Sequence, residues 1–158
     1  MKKIVIYFSY TGNTKKIAQM IAKRLNCDIL ELYPVTPYSN DYDYVVKQEQ
    51  NNDVSNKMVE IKNIGINLDD YDEIIIGSPV WWYSISPVVR TFLHENNLSD
   101  KTIKPFATNA GWLGKTFKEI KLLCPNSNVD DGMNIVFKSY SDILVTSIDD
   151  INNWIDTL

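Results

Sequence analysis

Residues 9–14, "SYTGNT", place three aliphatic hydroxyls, one amide and one glycine within six positions. A stretch with helical periodicity follows at once, so this segment lies where a helix begins. The first N–H groups of a helix have no intrahelical acceptor, and the helix dipole adds positive potential, so the pattern predicts an anion site. Its candidate ligands are Ser9, Thr11, Gly12, Asn13 and Thr14. The alternative is that these residues only cap the helix, which is their commonest role.

The same stretch lacks the two common nucleotide fingerprints. Neither G-x-x-x-x-G-K-[ST] nor G-x-G-x-x-G occurs, so neither triphosphate hydrolysis nor dinucleotide binding is indicated. A site made of hydroxyls and backbone N–H groups, with no metal and no dedicated lysine, suits a monophosphate that is bound and not transferred.

Residues 78–87, "SPVWWYSISP", set two tryptophans and a tyrosine between prolines, directly after the apolar run "EIIIG". Because adjacent side chains diverge, we expect one of Trp81 and Trp82 to pack into the core and the other to stay at the surface. With Tyr83, an aromatic side chain at the end of a strand provides a stacking platform for a flat ring.

Residues 108–114, "TNAGWLG", combine hydrogen-bonding side chains, glycines and a third aromatic residue. Thr108 and Asn109 can bond the edge of a heterocycle, Gly111 and Gly114 free the backbone N–H groups, and Trp112 can close over a ring face. The alternative is an ordinary glycine-rich turn with a partly exposed tryptophan.

These three stretches each follow an apolar run of the kind that forms strands. The predicted strands are residues 3–9, 27–34, 71–79, 103–110 and 132–139. The predicted helices are residues 14–25, 86–97, 115–124 and 147–158, with a further short helix at 42–51. Alternating strands and helices predict a doubly wound parallel sheet, whose ligands bind at the carboxyl ends of the strands. We therefore expect the three stretches to meet around a flat ring tethered to a phosphate.

Length and charge narrow the function classes. A chain of 158 residues fits one domain, spanning 1–158, and the net charge of −4 argues against a nucleic-acid-binding protein. The apolar run at the N-terminus is too short to span a membrane, so we expect a cytoplasmic protein. Cys27 and Cys124 show no ligand spacing and are expected to be reduced thiols; no residue cluster suggests a metal.

Three other functions of similar folds lack their residues. A receiver domain needs an acidic pair after its first strand and an aspartate after the central strand, where this chain has "SY" and "GSP". A serine hydrolase needs G-x-S-x-G and a histidine, but the only histidine, His94, lies inside a predicted helix. Neither cysteine begins the C-x-x-x-x-x-R pattern of a phosphatase.

Two motifs resemble the flavodoxin family. "SYTGNT" after an N-terminal strand is similar to the flavodoxin phosphate loop, and "YDEIIIGSPVWWYSISPVVRTFL" is similar to the second flavin loop of a short-chain branch with P-[IV]-W-W. The resemblance covers nearly the whole chain. It implies a flavodoxin-like α/β three-layer sandwich, a five-stranded parallel sheet of order 2-1-3-4-5 with helices on both faces, that binds FMN. Where the branch has a Gly/Ser-rich third loop, this chain has "NAGWLG".

The resemblance also implies roles for individual residues. The phosphate would be held by Ser9, Thr11, Gly12, Asn13 and Thr14. The isoalloxazine would be lined by Pro79, Val80, Trp81, Trp82 and Tyr83. The third loop would be formed by Thr108, Asn109, Ala110, Gly111, Trp112 and Gly114.

Two functions are compatible with this resemblance. In the first, the protein is an electron carrier between redox partner proteins, without a catalytic residue of its own. In the second, it is an oxidoreductase that takes hydride from NAD(P)H and reduces a quinone or a similar acceptor. In both, the flavin supplies the chemistry and the protein tunes it. The acidic balance and short chain favour the carrier.

Overall fold

A computed structural model describes all 158 residues except the side chains of residues 53 and 54. The strands are β1 (Lys3–Tyr7), β2 (Asp28–Glu31), β3 (Glu73–Trp81), β4 (Ser84–Ile85), β5 (Thr102–Asn109), β6 (Asn128–Val129) and β7 (Met133–Val136). The helices are α1 (Asn13–Leu25), α2 (Tyr42–Gln48), α3 (Asn52–Ser55), α4 (Pro87–Glu95), α5 (Thr116–Leu123) and α6 (Ile148–Ile155), with a 3₁₀ turn at Leu68–Asp70.

The sheet runs β2-β1-β3-β5 with parallel pairing throughout. β6 pairs with the start of β5 and β7 with its end, so these two strands occupy one position at the sheet edge. Counted by position, the order is the 2-1-3-4-5 implied by the flavodoxin resemblance. The expectation that the first strand lies beside the strand of the aromatic stretch is confirmed, because Val5 pairs with Ile75.

The expected count of five strands is wrong, because the sheet has seven. The outer position is divided by residues 130–132, where Gly132 has a φ of 91° that a strand does not adopt. The other extra strand is β4, which pairs antiparallel with the end of β3 and makes a two-residue hairpin. The sequence does not predict β4 or β6, since each strand is only two residues long and forms no apolar run.

The two faces of the sheet bury alternate residues of the same strands. Ile4 and Ile74 belong to one core with α4 and α5, whereas Val5 and Ile75 belong to the other with α1 and α6. This explains the continuous apolar runs in the sequence, since a strand covered on both faces has no polar side. The two layers of helices leave the carboxyl ends of the strands open at one edge.

Helix starts follow the residues that the sequence offers. Ser86 accepts a hydrogen bond from the Val89 N–H and Pro87 is the first residue of α4. Ser147 accepts one from the Asp150 N–H at the start of α6. These caps fix where the helices leave the loops. Both cysteines are free thiols, and burial raises the pKa of Cys124 to about 11, so that this thiol stays protonated at neutral pH.

Candidate functional site

A cleft of about 760 Å³ lies at the carboxyl ends of the strands. All three stretches that the sequence singles out contribute to its walls. The predicted residues that line it are Thr11, Asn13, Pro79, Val80, Trp81, Trp82, Tyr83, Thr108, Asn109, Ala110 and Trp112. The expectation that these stretches meet at one end of the sheet therefore agrees with the structure.

The start of α1 forms one wall of the cleft. The Ser9 hydroxyl oxygen accepts hydrogen bonds from the N–H groups of Gly12 and Lys15, each at 3.2 Å. Gly12 has a φ of 100°, a conformation that glycine adopts at no steric cost. The N–H groups of Asn13 and Thr14, the first two helical residues, have no intrahelical acceptor and remain available to an anion.

Ser9 and Thr14 are engaged within the protein. The hydroxyl of Thr14 lies 2.7 Å from that of Thr108, so it ties the first wall to the third loop. Asn13 donates from its amide to the Ser141 carbonyl at 3.0 Å. Thr11 is exposed and lines the cleft, which makes its hydroxyl the most accessible one of the loop.

Lys15 near this wall forms a partly exposed ion pair. Lys15, in the first turn of α1, lies 3.4 Å from Glu31, which offsets the unfavourable position of a cation at a helix start. The pair is partly exposed, so its contribution is small and sensitive to salt.

The aromatic stretch forms the opposite wall as the hairpin between β3 and β4. Trp81 pairs with Ser84, and the two residues at the tip, Trp82 and Tyr83, have φ values of 52° and 66°. A two-residue turn with positive φ at both positions is usually occupied by Asn-Gly. Holding bulky residues there costs about 1–3 kcal/mol each, which the rest of the structure must offset.

The two tryptophans have different roles. The Trp81 ring packs against the core, with ring centroids 5.7 Å from Phe8 and 4.8 Å from Tyr38 in edge-to-face geometry. Trp82 points to α2 and donates from Nε1 to the Val46 carbonyl at 2.6 Å. Trp81 thus packs against the core as expected of one of the two, but Trp82 is half-buried as well and does not stay at the surface.

The third stretch closes against the hairpin. Gly114 has a φ of 58°, and a Cβ there would lie 2.3 Å from the Tyr83 carbonyl oxygen, so only glycine fits. The Lys115 N–H donates to the same carbonyl at 2.9 Å. Gly111 donates its N–H to the Asn109 side chain at 2.8 Å, which shapes the loop, while Trp112 remains 60% exposed. Ser9, Gly12, Thr14, Gly111 and Gly114 thus shape the loops rather than line the cleft.

Two parts of the chain line the cleft without having been predicted to. They are α2 with the residue that follows it (Tyr42, Val45, Val46 and Glu49) together with Tyr10, and the segment Phe137, Lys138, Ser139, Tyr140, Ser141 and Asp142. The segment follows β7, so the rule that ligands bind at carboxyl ends of strands already pointed to it. Tyr10 lies inside "SYTGNT", which follows β1. The residues of α2 carry no such sequence signal, because they do not directly follow the carboxyl end of a strand.

Tyrosines narrow the mouth of the cleft. The Tyr42 ring lies 6.2 Å from Tyr10, nearly parallel to it, and 5.0 Å from Tyr140. Burial raises the pKa of Tyr10 and of Tyr42, so both phenols are neutral at pH 7, and the Tyr10 hydroxyl donates to the Ser39 carbonyl. These rings add apolar surface beside the hairpin, since the Tyr10 ring lies 5.8 Å from the Trp81 ring in edge-to-face geometry.

Two carboxylates line the cleft, Glu49 and Asp142, and Glu49 is the buried one. Glu49 is 1% exposed and accepts a hydrogen bond from the Lys57 ammonium at 2.8 Å. Burial, followed by the Glu49 charge, raises the pKa of the neighbouring Tyr38 phenol. Lys57 balances the charge of Glu49, and the lining also holds Lys138 and Asp142, so the charges of opposite sign offset one another.

The arrangement fits a planar group that carries an anion. Helix N–H groups and hydroxyls lie on one side and large aromatic surfaces lie on the other, with amides of the third loop between them. Among the described residues, no group of three or more His, Cys, Asp or Glu side chains is placed to hold a metal. Nor does any helix in the described part of the chain have the length and apolarity to cross a membrane.

Comparisons with known proteins agree with this geometry. The flavodoxin family model matches residues 2–158. A proposed flavoprotein from Bacteroides uniformis is 25% identical with a TM-score of 0.82, and the match covers 98% of this chain and 97% of that one. A flavoprotein from Lactobacillus acidophilus, solved in complex with FMN, is 26% identical with a TM-score of 0.73, over 84% and 91% of the two chains. No curated protein sequence matches. The chain belongs to the flavodoxin family.

Proposed function

We propose that this protein binds FMN and transfers electrons between redox partner proteins. The observation that carries the proposal is that a helix start rich in hydroxyls faces an aromatic hairpin across one cleft. The Lactobacillus acidophilus flavoprotein, with the same fold, was solved with FMN. When bound, the flavin would accept and release electrons, and the chain would supply position and electrostatics.

Each of the three stretches would bind a different part of FMN. The hydroxyl of Thr11 and the N–H groups of Asn13 and Thr14 would bind the phosphate, since Thr11 and Asn13 line the cleft and both N–H groups lie at the positive end of the α1 dipole. The hairpin would cover the ring, with Trp82 or Tyr83 against its face. Asn109 in the third loop would bond the edge of the ring.

The surface around the mouth favours a protein partner. Tyr83, Trp112 and Tyr140 are exposed aromatic residues grouped at one opening. Exposed aromatic side chains are enriched where another protein docks. Such a partner would bring its own redox group to the exposed edge of the flavin.

The second candidate is an NAD(P)H-dependent reductase of quinones or similar acceptors. The feature that favours it is the size of the cleft, about 760 Å³, in the upper half of the roughly 300–1,000 Å³ range of ligand pockets. A cleft of that size has room for a second planar molecule beside a flavin.

Titration of the apoprotein with FMN tests the proposal. We expect saturable uptake at micromolar FMN, with a visible flavin spectrum and strong quenching of flavin fluorescence by the tryptophans. Folded protein that takes up no FMN at that concentration would refute it. Steady-state oxidation of NAD(P)H with a quinone then separates the two functions, because rapid turnover with no protein partner would establish the reductase.

A further inference from the structure

Segment 42–57, which precedes β3 in the chain, makes several hydrogen bonds to the aromatic hairpin. Besides the bond from Trp82 to Val46, the Asn52 amide nitrogen donates to the carbonyls of Trp81 at 2.9 Å and Ile85 at 3.1 Å. These two carbonyls lie on opposite strands of the hairpin. A single side chain therefore bridges both strands.

The orientation of Asn52 is fixed by its third partner. Its Oδ1 accepts from Nη1 of Arg90 at 2.7 Å, and arginine has only donors. The amide nitrogen must therefore face the two carbonyls. Asn52 is 1% exposed, so each of these bonds is shielded from water.

Arg90 is itself held by a buried network that returns to the hairpin. Its Nε donates to Glu119 at 2.6 Å, and the other carboxylate oxygen of Glu119 accepts from the Ser84 hydroxyl at 2.8 Å. Arg90 also donates to the Lys57 carbonyl at 2.5 Å. The hairpin is thus tied at both strands, and the Asn52 side chain by itself reaches both of them.

The hairpin needs such a support, because Trp82 and Tyr83 both hold positive φ without being glycine or asparagine. We propose that Asn52 is a positioning residue that holds the aromatic hairpin in its strained turn before any ligand binds. The part concerning the ring wall rests on the proposed function; the part concerning the hairpin does not.

Asn52→Asp tests this with almost no change in size. It replaces two N–H donors by an oxygen that faces two carbonyls. The matched control is Asn96→Asp, because Asn96 also donates to a backbone carbonyl, that of Phe92 at 2.8 Å, at the end of α4. Hydrogen exchange is measured at the amides of residues 82–85 in the apoprotein.

We expect exchange there to be roughly tenfold faster in Asn52→Asp, since the lost bonds leave buried carbonyls unpaired. Asn96→Asp should change it by less than about twofold. Adding Tyr83→Gly to Asn52→Asp should restore slow exchange, because glycine adopts positive φ without steric cost. Equal exchange in the two aspartate variants, or no restoration by glycine, would overturn the proposal.

The affinities for FMN and riboflavin provide a second test of the role of Asn52. Asn52→Asp should weaken FMN and riboflavin by the same factor, roughly tenfold, because the ring wall is altered and the phosphate wall is not. An FMN-selective loss would overturn the proposal. If the wild-type protein binds neither flavin, the proposed function fails, while the exchange measurement still decides the role of Asn52.

Discussion

The two walls of the cleft are stabilised over different distances along the chain. In the wall at the start of α1, Ser9 bonds backbone groups three and six positions away. In the aromatic hairpin, Trp81 bonds a residue 29 positions away and Ser84 one 35 positions away. The turn of the first wall is thus shaped by local bonds, although the Asn13 and Thr14 side chains also reach Ser141 and Thr108. The hairpin depends on buried groups from α3, α4 and α5.

This difference has a physical reason. A helix start generates unpaired N–H groups by itself, so an anion wall needs only a turn and a few hydroxyls. An aromatic platform made from two bulky residues at positive φ does not form by itself and must be held by tertiary contacts. Changes to the buried network should therefore alter stability and the ring wall together, and a change at Thr11 should alter phosphate binding alone.

The largest effect on stability is expected from Arg90→Met. This change removes the partner of the buried Glu119 carboxylate and should lower the free energy of unfolding by about 3–5 kcal/mol in urea titrations. Arg24→Met is the control, since its bidentate pair with Asp156 is exposed, and we expect it to leave the urea midpoint nearly unchanged. Similar midpoints for the two variants would contradict the view that the hairpin is held by a buried charge network.

Thr11→Ala should affect the other wall only. Removal of a hydroxyl that bonds a phosphate is expected to weaken FMN by roughly tenfold, with riboflavin unchanged because it has no phosphate. Fluorescence titration of the apoprotein with both flavins measures this. Equal losses for the two ligands would show that the start of α1 does not bind the phosphate.

The sequence predicts the elements well and the shape of the hairpin poorly. Continuous apolar runs identify the strands, and Ser86 followed by Pro87 marks the start of α4, because these signals are local. The positive φ at Trp82 and Tyr83 carries no sequence signal, since the pattern for such a turn is Asn-Gly.

Residues that come from distant parts of the chain were also missed. Asn52 lies in a polar stretch with no feature that marks it as buried, and only the fold brings it beside Arg90. Glu49 likewise reads as a surface residue, although it is buried and paired with Lys57. Polar residues that are buried through tertiary pairing cannot be distinguished from solvated ones by pattern alone.

A smaller effect is expected from Trp82→Phe, which removes the bond to the Val46 carbonyl and keeps an aromatic ring. The loss should be about 1 kcal/mol in the free energy of unfolding. Combined with Asn52→Asp, it should show coupling of more than about 0.5 kcal/mol, because both act on one hairpin, whereas the combination with Asn96→Asp should be additive. Additivity in both pairs would show that the bond from Trp82 to α2 and the bonds from Asn52 stabilise the hairpin independently.

The smallest effect is the pH dependence of the exposed pair, which contrasts with the buried network. The Arg24 guanidinium lowers the pKa of Asp156 below its ordinary value of about 3.9. A carboxyl whose folded pKa is lowered stabilises the protein above its unfolded pKa, and that contribution is lost as pH falls through the folded pKa. Wild type should therefore melt slightly above Asp156→Asn at pH 7, and the gap should close as the pH falls through the lowered pKa of Asp156. A gap that persists in acid would mean that Asp156 acts through packing rather than through its charge.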